Sequence, residues 1–394
     1  MANVDERDEM DEHYNDKELD GGEAADTGDT DENSADDANS VASAEMHHED
    51  AAEEYPADAD YDSYDDDDYG DTPVMAAAMR AAELSAGRVT LEKPESPRLV
   101  TVANQKGGVG KTTTSVNLAS SLARQGQRVL VIDLDPQGNA STALGVEHTS
   151  GTLSSYEVLI GHVDASEAVQ VSPANPDLLC IPATIDLAGA EVELVSMVRR
   201  EYRLYDAIRR GFLREYGFDY VFIDCPPSLG LLTINAMTAV NEVLIPIQCE
   251  YYALEGVGQL LGNIGMIREN LNDSLHISGV LLTMYDGRTR LSADVASEVR
   301  SQFGEVVLKN VVPRSVKVSE APGFGQTVID FDPGSRGAMA YFDAAREFAQ
   351  RGDYLPHAST GPIGVSPAVY EQLERGETEG VGDGGARGAD EGEE

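Results

Sequence analysis

The feature that most constrains this chain is the stretch 105–113, QKGGVGKTT, which follows the apolar run 99–103, LVTVA. A β-branched strand pattern, a glycine-rich turn and a Lys-Thr-Thr opening a helix make up a loop that wraps phosphate. Gly107, Gly108 and Gly110, with Val109 between them, let the backbone aim its N–H groups at phosphate oxygens. Lys111 is placed to reach the β- and γ-phosphates, and the Thr112 hydroxyl to ligate Mg²⁺. The helix starting near Thr113 adds its positive dipole end. Gln105 stands where the strict pattern has its first glycine, and an extra lysine, Lys106, follows it. A loop wrapped around its own nucleotide cannot easily turn Lys106 onto that nucleotide. Lys106 can reach the phosphates of a second copy.

From residue 98 onward, strand and helix patterns alternate. Strands are expected near 99–104, 128–134, 178–181, 219–224, 242–248, 277–285 and 306–312. Helices are expected near 112–125, 190–199, 201–216, 230–240, 252–271, 291–302 and 335–350. Runs such as VLVID and YVFID are almost wholly apolar, as in a parallel sheet covered on both sides. The pattern predicts an α/β fold: a doubly wound, mostly parallel sheet with helices on both faces and ligands at the strands' C-terminal ends.

Two strand ends carry carboxylates. Asp133 and Asp135 close VLVIDLDP, two residues apart on one side of the chain, and Asp224 closes DYVFID. Beside a phosphate loop such groups hold Mg²⁺ through water or orient an attacking water. Cations are sparse, so the segment 288–317, with Arg288, Arg290, Arg300, Lys309, Arg314 and Lys317, stands out. Converging on one surface, these side chains would attract a phosphate backbone without reading its sequence.

The net charge of −43 divides unevenly. Residues 1–73 hold 29 acidic and 2 basic side chains, a net of −27, and residues 366–394 a net of −7, which leaves −9 for 98–365. The first 97 residues read as a disordered acidic extension and linker, with a short helix over 73–87. Residues 98–353 read as one ATPase domain and 354–394 as a flexible acidic, glycine-rich tail. A flexible chain of 73 residues spans at least about 50 Å, enough for the extension to fold back on the cationic segment and compete with DNA. An acidic start without an apolar core argues against a signal peptide, and no run of 18 apolar residues predicts a membrane span. Cys180, Cys225 and Cys249 are odd in number and lack C-x-x-C spacing, which suits free thiols in a reducing cytoplasm.

Over about two thirds of its length the chain resembles the ParA/Soj family of chromosome-partitioning ATPases, deviant Walker A proteins grouped with MinD and the nitrogenase iron protein. The segments that carry the likeness are NQKGGVGKTTT, VLVIDLDPQGNAS, IPATIDLAGAEVEL, IDCPPSLGLLTINA, IPIQCEYYALEG, GVLLTMYDGRT and VPRSVKVSEAPGFGQTV. The resemblance implies a triphosphate on Gly107, Gly108, Val109, Gly110, Lys111, Thr112 and Thr113, with Mg²⁺ on Thr112 and supported by Asp133 and Asp224. It implies catalytic roles for Lys106, which crosses an ATP-sandwich dimer, for Lys111, and for Asp135, which positions the attacking water. It also implies that Pro313 and Ser315 border the adenine and that Arg288, Arg314 and Lys317 meet double-stranded DNA. Lys317 and Ser315 depart from the family's usual arginine and asparagine. The expected partners are a second copy, nonspecific DNA and a ParB-like centromere-binding protein, in the cytoplasm on the nucleoid. A MinD-like membrane reading needs a basic amphipathic C-terminus, and 366–394 is acidic instead. An iron–sulfur reading needs two cysteines at a dimer interface, and Cys225 and Cys249 sit in apolar strand contexts.

Overall fold

In the computed structural model the described residues are 82, 90–209, 211–254 and 256–352. The expected 73–87 helix, the acidic extension and the C-terminal tail lie outside them, apart from Ala82 and the stretch 90–97. That stretch, read as the end of the linker, is docked: the Leu91 amide donates to the Gln125 carbonyl at 3.0 Å and Lys93 pairs with Asp219 at 2.7 Å.

Among the described residues seven strands form one sheet, in spatial order β3-β4-β2-β5-β1-β6-β7. They are β1 (Arg98–Val102), β2 (Val129–Asp133), β3 (Gln170–Val171), β4 (Leu178–Ile181), β5 (Tyr220–Asp224), β6 (Glu242–Gln248) and β7 (His276–Thr283). All pairings are parallel except the short β3–β4 contact at the edge. Strands β1, β2, β4, β5 and β7 are buried along their whole length, because both faces of the sheet are covered. Along β1 the faces alternate: Leu99 enters one core with Ile132, Ile223 and Leu261, while Val100 and Val102 enter the other with Leu118, Phe222 and Phe348.

The α-helices between Lys111 and Gln350 among the described residues are, in chain order, α1 (Lys111–Arg124), α2 (Asn139–Ala143), α3 (Ser155–Ile160), α4 (Leu187–Val195), α5 (Arg203–Arg209), α6 (Phe212–Tyr216), α7 (Leu231–Ala239), α8 (Val257–Asn270), α9 (Arg290–Phe303), α10 (Val316–Glu320), α11 (Val328–Phe331) and α12 (Arg336–Gln350). Helices α1 and α12 pack together on one face, and α7 and α8 cover the other.

Three expectations are corrected by the structure. The strand expected at 306–312 instead leaves a short 3-10 turn at Val306 and touches β7 at isolated points: a bridge from Val307 to Val280 and the Val312 amide on the Leu282 carbonyl, with a further bridge just past the strand from Pro313 to Tyr285. Its middle amides, Lys309 and Asn310, donate to the Glu347 carboxylate at 2.8 and 2.9 Å, so they are withdrawn from any ladder. The helix expected at 201–216 breaks at Gly211, whose φ of 101° lies outside helical space. The helix expected from 252 starts at Val257, after Tyr252 and Gly256 turn left-handed. Edge strand β3 and the short helices α2, α3, α10 and α11 carry too few residues for a periodic signal.

At the strands' N-terminal edge, one buried ion pair staples three elements. The Arg98 guanidinium, on β1, donates to both Glu242 oxygens on β6 at 2.8 and 2.6 Å and to the Phe348 carbonyl on α12 at 2.9 Å. It also lies 4.2 Å from the Phe348 ring centroid. Both partners are almost wholly buried, so removing one leaves a charge that water cannot reach. Glu242→Ala is therefore expected to lower unfolding free energy by about 3–5 kcal/mol, whereas Arg98→Met with Glu242→Leu costs far less. Urea unfolding checks this; equal losses in the single and double variants would refute the account.

Candidate nucleotide site

The site is assembled at the C-terminal edge of β1, β2 and β5. Register does most of the positioning. Asp133 on β2 lies opposite Asp224 on β5, and Asp224 lies opposite Val102, the last residue of β1 before the loop. Both carboxylates are fully buried and Asp135 is nearly so.

The loop is braced from beneath. Asn104 donates through Nδ2 to the Pro246 carbonyl at 2.8 Å, and its Oδ1 accepts the Lys106 amide at 3.0 Å. The Thr283 hydroxyl, at the end of β7, donates to the Val109 carbonyl at 2.8 Å. Gly108 and Gly110 have φ of 74° and 91°, which only glycine adopts without strain, so the turn needs both. The Lys111 ammonium crosses the loop to the Lys106 carbonyl at 3.2 Å. Burial lowers its pKa, and the nearby Asp224 and Asp135 oppose that shift. The Lys106 side chain is only partly buried and makes no hydrogen bond or ion pair among the described residues. Thr112 and Thr113 start α1, where unsatisfied N–H groups face the loop.

The carboxylates differ in what they touch. Asp133 is saturated: Oδ2 accepts the Ser141 amide at 2.9 Å and its hydroxyl at 2.7 Å, and Oδ1 accepts the Asp135 amide at 3.1 Å. It thereby sets the turn that presents Asp135, which itself accepts the Gln137 amide at 3.0 Å. Asp224 Oδ1 accepts the Ser115 hydroxyl at 2.8 Å, but Oδ2 is buried without a partner. Burial, then repulsion from Asp133, pushes the Asp224 carboxyl up to about 7. Burial likewise raises Asp133, opposed by its bonds from Ser141 and Asp135. A buried carboxylate oxygen without a donor, beside a threonine hydroxyl and a lysine, fits a divalent cation held through water. Ser115, Ser141, Thr283 and Asn104 escaped the sequence reading. Ser115 alone left a trace, four residues after Lys111 on one helix face.

The basic segment 288–317 does not gather as a whole. Arg288 lies in the loop after β7 and Arg314 in the adjoining strap, whose amide donates to the Tyr285 carbonyl at 3.0 Å; Lys317 follows on α10. Arg300 instead donates to the Lys309 carbonyl. Lys309 lines a separate cleft of about 470 Å³ with Arg346 and Arg351. Arg288, Arg314 and Lys317 are exposed and each is paired, with Asp286, Glu250 and Glu320. Pro313 and Ser315 sit in the same strap beside the end of β7. The three cysteines are buried and free, and burial pushes Cys225 up to about 12 and Cys249 up to about 11. Among the described residues no His, Cys, Asp and Glu cluster has the make-up of a metal centre, and no helix is long and apolar enough to cross a membrane.

A doubly wound sheet with a lysine-doubled phosphate loop and carboxylates at the two neighbouring strand ends defines a P-loop ATPase. Residues 97–277 match the family model described as an AAA domain. The chain is 50% identical over 255 residues to the sporulation initiation inhibitor protein Soj of Bacillus subtilis, covering 65% of this chain and 99% of that protein. It is 51% identical over 255 residues to the chromosome partitioning protein ParA of Caulobacter vibrioides, covering 64% and 94%. A Mycobacterium smegmatis structure described as cobyrinic acid a,c-diamide synthase with bound ATP analogue and magnesium is 40% identical, with a TM-score of 0.56 over 65% of this chain and 95% of that one. The chain belongs to the ParA/Soj family of chromosome-partitioning ATPases.

A carboxyl whose pKa is raised in the fold binds more protons folded than unfolded between the two values. Stability from this source is thus present below the ordinary carboxylate range, 3.8, and is lost as pH rises towards about 7. The protein without nucleotide is expected to melt lower as pH rises through that window. Mg²⁺ with ATP favours the anion and should stabilise more at about pH 8 than at about pH 6. Thermal melts across pH check this, and a stabilisation independent of pH would contradict it. Asp224→Asn should flatten both dependences.

Proposed function

We propose that the chain is a nucleotide-switched partitioning ATPase: Mg·ATP joins two copies, the dimer holds DNA without reading sequence, and a ParB-like partner triggers hydrolysis. The observation that carries the dimer is Lys106, a cation at the lip of its own loop whose side chain engages nothing among the described residues. Three neighbouring polar side chains are instead committed inward: Lys111 to the loop carbonyl, Asn104 to the sheet and Thr283 to Val109.

Within one subunit, the loop amides from Gly107 to Thr113 and Lys111 bind the triphosphate. Thr112 and the unpartnered oxygen of Asp224 would hold Mg²⁺, which when bound would supply Lewis-acid polarisation of the triphosphate. Asp135 orients the attacking water, and Asp133 serves it by holding the turn rather than by offering a free oxygen. Lys106 reaches the partner's phosphates as charge develops there, so hydrolysis is mostly positioning and electrostatics. Pro313 and Ser315 stand beside the adenine. Arg288, Arg314 and Lys317 form the exposed rim that meets the DNA backbone, and the acidic extension of net −27 competes for it.

Size-exclusion light scattering with ATP is expected to show a dimer for Asp135→Ala and a monomer for Lys106→Ala. A dimer in Lys106→Ala would overturn the sandwich. With two or three phosphate contacts per subunit, DNA affinity should fall roughly 10²–10³-fold between about 50 and about 200 mM salt. A flat salt response would remove DNA from the proposal. Deleting residues 1–73 should raise affinity at low salt, and unchanged affinity would dismiss the competing tail.

A further inference from the structure

Two elements leave the nucleotide site, and both end on the same segment. Helix α1 begins at Lys111, and its Asn117 donates to the Thr113 carbonyl at 2.7 Å while accepting the Val328 amide at 2.8 Å. One turn on, Ser120 donates to Asp330 at 3.1 Å, and Arg124 forms an ion pair with it. Helix α2 begins just after the Asp133–Asp135 turn and is fastened to it by Ser141. Its Ala140 and Ala143 share a core with Ala321, Val328 and Ile329.

The segment these elements grip is 316–331, which carries Lys317. It runs from α10 through a tight turn, Ala321–Phe324, to α11. Phe324 stacks on Phe331 at 4.9 Å, and the Lys317 ammonium lies 5.5 Å from the Phe331 ring centroid. Where α2 meets the turn, two glycines face each other. Gly145 has φ of 67° and Gly325 of 65°. A Cβ on Gly145 would stand 2.9 Å from the Gly325 carbonyl oxygen and 3.2 Å from Pro173 Cγ, so any side chain there forces the backbones apart. A Cβ on Gly325 would meet the Gly145 Cα only at 3.7 Å, ordinary contact.

We propose that the Gly145–Gly325 contact is a transmission joint, through which the position of the Asp135 turn sets the position of the Lys317-bearing segment. Gly145 is then a positioning residue: it touches no nucleotide and acts by letting α2 lie directly on the turn at 321–325. Helix α1 is the fixed side of the joint, clamped to α11 by Asn117 and Asp330, and α2 is the side that moves with the catalytic turn. The inference rests on the proposed nucleotide site; its link to DNA rests on the proposed role of Lys317.

Hydrogen exchange on the full chain tests the joint without DNA. Amides of 316–325 are expected to exchange several-fold more slowly with a non-hydrolysable ATP analogue and Mg²⁺ than with ADP. In Gly145→Ala that difference should vanish while affinity for a fluorescent ATP analogue stays within about 2-fold, because coupling and binding are separate free energies. Gly325→Ala, the milder intrusion, should reduce the difference and decides the matter if Gly145→Ala does not fold. Lys106→Ala should retain the difference, which separates the joint from burial in a dimer. No nucleotide response in the wild type, or a full response in a folded Gly145→Ala or Gly325→Ala chain, overturns the joint. An intact exchange response with no DNA binding would instead sink the DNA reading and leave the joint standing.

Discussion

Two carboxylates buried opposite one another on adjacent parallel strands are the constraint to which the rest of this site answers. Asp133 and Asp224 are neighbours in register, and neither is exposed to water. Like charges in that position are tolerated only when each anion is compensated or one is protonated. The chain compensates them unequally: Asp133 takes three hydrogen bonds from its own turn, whereas Asp224 takes one from Ser115 and keeps one oxygen free. The unequal compensation gives the pair a division of labour. The saturated carboxylate shapes the loop that holds Asp135, and the other is left in want of a cation.

That arrangement is inexpensive to build because the sheet supplies the geometry. Parallel strands in this order bring the ends of β2, β5 and β1 side by side, and the loop leaves β1 at the same edge. At the opposite edge the Arg98–Glu242 staple ties β1, β6 and α12. Fixing β1 at its start helps hold the register at its end. One edge of the sheet thus carries a saturated, structural ion pair, and the opposite edge carries carboxylates of which Asp224 has an oxygen without a partner.

Much of this was legible in the sequence, for identifiable reasons. Six of the seven strands and the long helices α1, α8, α9 and α12 follow from apolar or periodic runs in the sequence. The loop and the carboxylates follow from residue types at strand ends. The 306–312 segment misled because its apolar pattern is that of a strand, while Glu347, on a helix some 37 residues away, claims its amides. No local pattern announces such a competitor. The same holds for Ser141 and Thr283, whose roles exist only once β2 and α2, or β7 and the loop, are brought together. The basic segment does not act as one group: Arg288 and Arg314 both lie near Asp286, Lys317 pairs with Glu320 on α10, and Arg300 reaches back to the Lys309 carbonyl.

The pairing of those three cations bears on how a polyanion would be held. Arg288 is forked onto Asp286, whose carboxyl is drawn down to about 2 by it, and Arg314 and Lys317 have partners of their own. Such exposed pairs contribute little to folding and are screened by salt. A phosphate backbone brings a dense, ordered array of acceptors and can take over these cations at small cost. The three local carboxylates remain beside it as standing repulsion. Binding on these terms is shallow: it needs several sites at once, fades steeply with salt, and lets go when a few contacts are withdrawn. On the proposed reading, a surface of this kind suits a protein that leaves its polyanion as the nucleotide turns over, and the number of joined subunits, not the strength of any one cation, would then govern its hold on the polyanion.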